Sequence, residues 1–245
     1  MAEAPGLAPR GSIVVPQEVR EVADELIEAL GDDLAALLWH GSWARGEQTP
    51  ESDHDLIVVL RRLNEDVLAR MQAVFEDRPG WSTFIKTEEE IRNYPITGRL
   101  QFHHGAVPLY GSIQPPPITR EGLAEDLRQL AVDIQHECRY RLVHGSSRTL
   151  AGMDAEFIRV RNARWMYYQA KLAILALKSR EMLGGREYPL TRTELRARLT
   201  DADEIAAVDV VQNWAAEKAG YEEDFRPLAL LLDKVMRGLV AKLGQ

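Results

Sequence analysis

Two short apolar runs separated by a Gly-Ser turn constrain this chain more than any other feature. Leu38-Trp39-His40 leads into Gly41-Ser42-Trp43-Ala44-Arg45-Gly46, and Ser52-Asp53-His54-Asp55 opens the second run, Leu56-Ile57-Val58-Val59. Runs of this length read as strands, so Asp53 and Asp55, one residue apart, are expected on the same side of an extended segment, with His54 on the other. Two like charges held this close are costly unless a cation neutralises them. Mg²⁺ suits such a pair, because it takes one or two carboxylates from a protein and leaves other positions to water and substrate phosphates.

The Gly-Ser turn is the complementary half. Gly41 has no Cβ to keep a ligand from the backbone. Ser42 is expected where a helix starts and offers a hydroxyl and N–H groups to an anion. Arg45 adds a charged fork suited to phosphate. The same pieces also make an ordinary strand–turn–helix, in which Gly41 only forms the turn and Asp53 only caps a strand. A Gly-Ser pair means little alone, since Gly11-Ser12, Gly111-Ser112 and Gly145-Ser146 also occur. The ordered combination is what carries information.

Gly41-Ser42-x-x-Arg45-Gly46 followed by Ser52-Asp53-x-Asp55 and an apolar strand resembles the polymerase-beta-like nucleotidyltransferase superfamily. Asn93-Tyr94-Pro95 and Arg99-Leu100-Gln101-Phe102 resemble the same region of the aminoglycoside (3″) adenylyltransferases within it. The resemblance implies an Mg²⁺-dependent enzyme that moves AMP from ATP to a hydroxyl of a small acceptor, with an aminoglycoside antibiotic as the leading candidate. In that reading Asp53 and Asp55 hold the metal, and Gly41, Ser42 and Arg45 hold phosphates. The family layout is a catalytic domain followed by a helical domain, with the acceptor in the cleft between them. The family also carries a third carboxylate on the next strand, but residues 81–87 (Trp-Ser-Thr-Phe-Ile-Lys-Thr) hold no acid. A loop acid, a helical-domain acid such as Glu156, or weak catalysis are the ways to account for this. Two alternatives remain open: a minimal-nucleotidyltransferase-like modifier of protein or RNA, as in toxin–antitoxin pairs, and a degenerate module that binds nucleotide without turnover.

Charge and composition narrow the setting. The 245 residues are 45% hydrophobic, enough for a substantial core in one or two domains. The single cysteine, Cys138, excludes an intramolecular disulfide framework and zinc held by several thiolates, and it suits a reducing compartment. No apolar run is long enough for a membrane span, and residues 1–16 lack the charged start and apolar centre of a signal peptide, so a cytoplasmic protein is expected. Net charge is −8. Residues 1–115 carry 10 Lys and Arg against 19 Asp and Glu, and residues 116–245 carry 20 against 19. The acidic first half argues against a nucleic-acid footprint there and tolerates a polycationic small substrate.

The expected fold class is α+β. Residues 1–15 read as a loose leader, 16–113 as the catalytic domain with a small mixed sheet, 114–118 as a proline linker and 119–245 as an all-helical bundle. In the first domain, helices are expected at 16–30 and 64–75, with a short one beginning at 43–46 and a helical turn at 88–93. Strands are expected at 34–39, 53–60 and 81–87, with an edge segment at 106–110. Pro115-Pro116-Pro117 forbids a helix through the boundary. Beyond it, helical periodicity covers 119–139, 154–183, 191–199, 203–217 and 222–243. Thr191-x-x-Glu194 reads as a capping box, and Glu88-Glu89-Glu90 as the acidic first turn of a helix.

Three further features are noted. Arg161, Arg164, Tyr168 and Lys171 recur at helical spacing on one face, a basic–aromatic stripe that suits a triphosphate or base and equally suits a solvated face. Lys171 is the residue of that stripe assigned to phosphate. Arg139-x4-His144 resembles the ribonuclease motif of HEPN-type helical domains, a short pattern that arises easily by chance. His103-His104 lacks partners at metal-ligand spacing.

Overall fold

The computed structural model describes residues 14–49, 52–145 and 154–244. Most of the expected leader and Ser146 therefore lie outside the described residues. The chain divides into two compact units, one ending at Ile118 and the other beginning at Thr119.

The first unit is α+β. Helix α1 (Gln17–Leu30) buries Val19, Val22, Leu26 and Leu30 along one stripe and stops at Gly31. Strand β1 (Leu34–His40) follows, then the four-residue helix α2 (Gly41–Ala44) and strand β2 (His54–Leu60). Helix α3 (Glu65–Phe75) starts where the Asn64 side chain accepts a hydrogen bond from the Val67 N–H at 2.9 Å. Strand β3 (Trp81–Thr87) leads into α4 (Glu88–Arg92), where Thr87 and Glu90 form a reciprocal capping box, so the acidic run is the first turn of a helix. Helix α5 (Ile96–His103) and strand β4 (Val107–Gly111) complete the unit.

The sheet order is β3-β2-β1-β4. β1 pairs antiparallel with β2 and with β4, while β2 and β3 run parallel, with α3 as the crossover between them. Each face of the sheet has its own core. On one, Leu37, Leu56 and Val58 pack against Val22 and Leu26 of α1 and Val67 and Met71 of α3. On the other, Leu38, Ile57 and Val59 pack with Phe84, Ile91, Tyr94 and Phe102.

The second unit contains only helices among the described residues: α6 (Arg120–His144), α7 (Ala155–Leu183), α8 (Arg192–Arg198), α9 (Ala202–Gln212), α10 (Trp214–Glu223) and α11 (Arg226–Leu243). One core joins Leu127 and Ile134 of α6, Met166 and Leu177 of α7, Val208 of α9 and Leu232 and Leu239 of α11.

Several expected boundaries are corrected. α6 continues beyond Arg139 to His144, since nothing in 140–144 breaks it. The helix expected over 203–217 is two, α9 and α10, joined at Asn213, whose backbone lies between them at φ −100° and ψ 9°. α11 begins at Arg226, where Pro227 suits a first turn. At α8 only half of the expected capping box forms. Thr191 accepts from the Glu194 N–H at 3.0 Å, but Glu194 accepts from the N–H of Leu190 at 2.8 Å.

Candidate functional site

The site is built at one end of the β1–β2 pair. β1 runs out at His40, and Gly41 turns the chain at φ +84°, a conformation in which a side chain is strained. A second constraint falls on the same residue. A Cβ built on Gly41 lies 1.9 Å from Oδ2 of Asp55 and 2.7 Å from its carboxyl carbon. The carboxylate of β2 is thus packed directly against the backbone of the Gly-Ser turn.

Strand register sets the neighbours of Asp55. It pairs with His40 on β1 and with Ser82 on β3. Directly paired residues share a face, so His40, Asp55 and Ser82 form a row across three strands. Ile57 and Val59 follow Asp55 on that face and belong to the core with Phe84, Tyr94 and Phe102. The His40 imidazole is pushed down to about 4, first by burial and then by the charge of Arg45, so it is neutral at pH 7. Its Nδ1 has no hydrogen-bond partner among the described residues.

His54 faces the opposite core, as alternation requires. Its ring stacks between Trp43 (centroids 4.6 Å) and Trp81 (4.9 Å), and its Nε2 lies 3.1 Å from Glu18 of α1. Trp43 also donates its indole N–H to the Ser52 carbonyl at 3.1 Å, tying α2 to the entry of β2.

The remaining expected site residues are placed as follows. Asp53 precedes the ladder: β2 begins at His54, after a turn in which the Ser52 N–H donates to the Thr49 carbonyl. Asp53 is exposed, and Asp55 is partly buried. Ser42 stands in the first turn of α2, which starts at Gly41 after His40. The Ser42 carbonyl accepts from the N–H groups of Arg45 (3.2 Å) and Glu47 (2.8 Å), which folds the loop back on itself. That fold brings Arg45 to Glu47, with its Nε donating to the carboxylate at 3.1 Å, so the guanidinium expected for phosphate is held in an ion pair. Lys171 belongs to the second unit, where its amine lies 4.8 Å from the centre of the Tyr167 ring. Among the described residues no group of three or more His, Cys, Asp or Glu side chains is placed to hold a metal ion, His103-His104 included. Arg139 pairs with Asp233 at 2.7 Å, and His144 is the last residue of α6.

His40 and Ser82 are the neighbours that sequence reading missed. The signal for both lay in strand register, which one sequence does not show.

Against known families, residues 19–102 match the model of the nucleotidyltransferase domain. This stretch is a nucleotidyltransferase domain. The match spans β1, the Gly-Ser turn, β2, β3 and most of α5, which are the elements that carry the row of His40, Asp55 and Ser82. The domain's chemistry is nucleotidyl transfer. No curated protein matches the sequence. Among solved structures, spectinomycin adenyltransferase AAD(9) from Enterococcus faecialis with ATP and spectinomycin matches with 11% identity and a TM-score of 0.35, over 80% of this chain and 97% of that one. Similarity at that level adds nothing to the assignment of the nucleotidyltransferase domain.

Proposed function

We propose that the chain moves AMP from ATP to a hydroxyl of a small acceptor, with Mg²⁺ held by Asp53 and Asp55 and an aminoglycoside as the first acceptor to try. The contact between the Asp55 carboxylate and Gly41 carries the reading. It sets an acidic group directly against the backbone of the Gly-Ser turn, and a metal–phosphate site needs an acid and such a turn side by side. Two carboxylates fit Mg²⁺, which draws its other oxygens from phosphates and water. The ion, when bound, supplies charge neutralisation on the phosphates.

This chain's own residues do the rest. Gly41 leaves room for the Asp55 carboxylate against the turn, and the Gly41–Ser42 backbone with the Ser42 hydroxyl holds the terminal phosphates. In the transfer, the acceptor hydroxyl gives up its proton to water as its oxygen bonds to the α-phosphorus, the bond from the α-phosphorus to the α–β bridging oxygen breaks, and pyrophosphate leaves with that bond's electron pair. Positioning and charge stabilisation dominate the rate of such a displacement. Cytoplasmic location and the roles of Arg45 and Lys171 in phosphate binding are part of the same proposal. For Arg45 the proposal requires exchange of Glu47 for phosphate.

One observation favours a second reading. β3, the strand on which the resemblance expects a third carboxylate, carries no acid, and the residue it sets beside Asp55 is Ser82, so β3 offers the acceptor's proton no base. A module that binds nucleotide without transfer needs no such base. Label transfer from α-labelled ATP with Mg²⁺, over an aminoglycoside panel, bulk RNA and the protein itself, separates the readings. The expected result is labelled antibiotic, lost in Asp53→Asn and Asp55→Asn. ATP binding with no labelled product selects the second reading.

A further inference from the structure

The helical unit segregates its positive charge. α7 contains no carboxylate between Glu156 and Glu181, while Arg159, Arg161, Arg164, Lys171, Lys178 and Arg180 fall in that interval. Lys178 and Arg180 are used internally, on the Leu190 carbonyl and on Glu204. The helix period places Phe157, Arg161, Arg164, Trp165, Tyr168 and Lys171 on one face, opposite the buried Asn162, Ala163, Met166 and Ala170. Three aromatic rings on that face are out of the core: Phe157 is 56%, Trp165 37% and Tyr168 51% exposed.

The first part of this face is concave. Phe157, Val160, Arg161, Arg164 and Trp165 line a groove of about 250 Å³. Arg141 of α6 lies over the Trp165 ring, its guanidinium carbon 5.0 Å from the ring centre, and donates to Asn162 at 3.0 Å. Glu137 of α6 accepts the Trp165 indole N–H at 2.8 Å. The Nε atoms of both Arg141 and Arg161 are buried with no hydrogen-bond partner among the described residues. Burial and then the charge of Arg161 hold the Arg141 guanidinium below its ordinary value. Two crowded guanidinium groups with unused donors favour an anion between them.

We propose that the α7 face from Phe157 to Lys171 binds single-stranded nucleic acid. Unpaired bases stack on exposed rings and phosphates meet the interleaved cations, the combination that makes a sequence-tolerant single-strand platform. The face extends about 21 Å at the helical rise, longer than one nucleotide needs. A polycationic aminoglycoside is repelled by the same arginines. The near-zero charge of residues 116–245 conceals the stripe, because the acids of that half lie before, after or away from the 157–180 stretch of α7. The proposal does not depend on nucleotidyl transfer by the first unit.

The test is fluorescence anisotropy of a short labelled oligonucleotide with the full chain, RNA in one arm and DNA in the other, over a salt series. Binding in either arm is expected, with log affinity falling linearly with log salt. Tyr168→Ala weakens it by about tenfold, as loss of one stacked base does. Arg164→Gln lowers the salt slope by about one phosphate contact. Both residues are exposed, so fold loss does not obscure the result, and circular dichroism checks this. Binding unchanged in Asp55→Asn keeps this result separate from any failure of transfer. The proposal is overturned if neither oligonucleotide binds at low salt, if duplex binds as tightly as single strands, or if both variants bind like the parent.

Discussion

The two faces of β2 divide structure from chemistry within a single strand. On one face His54 is closed in by Trp43, Trp81 and Glu18, with Leu56 and Val58 continuing into the core beneath α1 and α3. On the other, Asp55 lies against a glycine backbone at the end of the sheet, where only Ile57 and Val59 beyond it are fully buried. The lesson is that period-two alternation lets adjacent residues serve unlike purposes. The packing of His54 fixes the strand, and the fixed strand aims Asp55.

The comparison can be broken from either side. Asp55→Asn is the largest expected effect: transfer falls by about 10²–10³-fold, the scale for losing a charge-stabilising group, while the thermal midpoint moves by no more than about 3 °C. His54→Ala does the reverse. It removes a ring from between two tryptophans and costs about 3 kcal/mol in urea denaturation. The fraction that remains folded keeps its rate, and a rate lost in proportion to stability contradicts the division. Gly41→Ala touches both sides, with a Cβ in the place of Asp55 Oδ2 and a strained backbone. About 2 kcal/mol and most of the transfer should go together. Ser82→Asp sharpens the comparison by adding an acid beside Asp55 on the reactive face. We expect a several-fold rise in Mg²⁺-dependent transfer, read in the same label assay, and no change if Ser82 is not the position that lacks the base.

Much of the first unit was legible because punctuation residues surround its elements. Asn64 starts α3, Gly31 ends α1, and the apolar run 56–60 leaves β2 no other reading. α5 was missed as a helix. It buries Thr97, Gly98, Arg99, Leu100 and Phe102, and a buried set that includes a glycine and an arginine gives no apolar stripe. Gly98 is there because the Tyr94 ring occupies the space of its Cβ, at 2.3 Å, a contact that only the fold creates. The break at Asn213 was equally hidden, since Trp214 continues the apolar spacing across it. Its reason is tertiary: Trp214 stacks between Tyr167 of α7 (4.2 Å) and Tyr221 (5.6 Å).

In the site, Asp55 was readable from alternation and Gly41 from the motif. Asp53 stands one residue before the first residue of β2. The partner of Arg45 was not readable, because the return of Glu47 depends on the loop folding over the Ser42 carbonyl. Sequence gives the donors of a charged loop, and the backbone path decides which of them pair.

The order β3-β2-β1-β4 also sets a schedule for synthesis. β1 and β2 lie close in the chain and can pair soon after the ribosome releases them, and β3 joins through α3. The other edge of β1 waits for β4, whose partners for Leu37 and Trp39 are Tyr110 and Val107. Until then a strand of seven residues, all but the last buried in the finished fold, presents an open ladder. The emerging chain therefore passes through an interval in which a chaperone, or a second nascent copy, competes for that edge. A ribosome pause just upstream of residue 107 would lengthen the interval and raise the insoluble fraction without changing any residue of the finished protein.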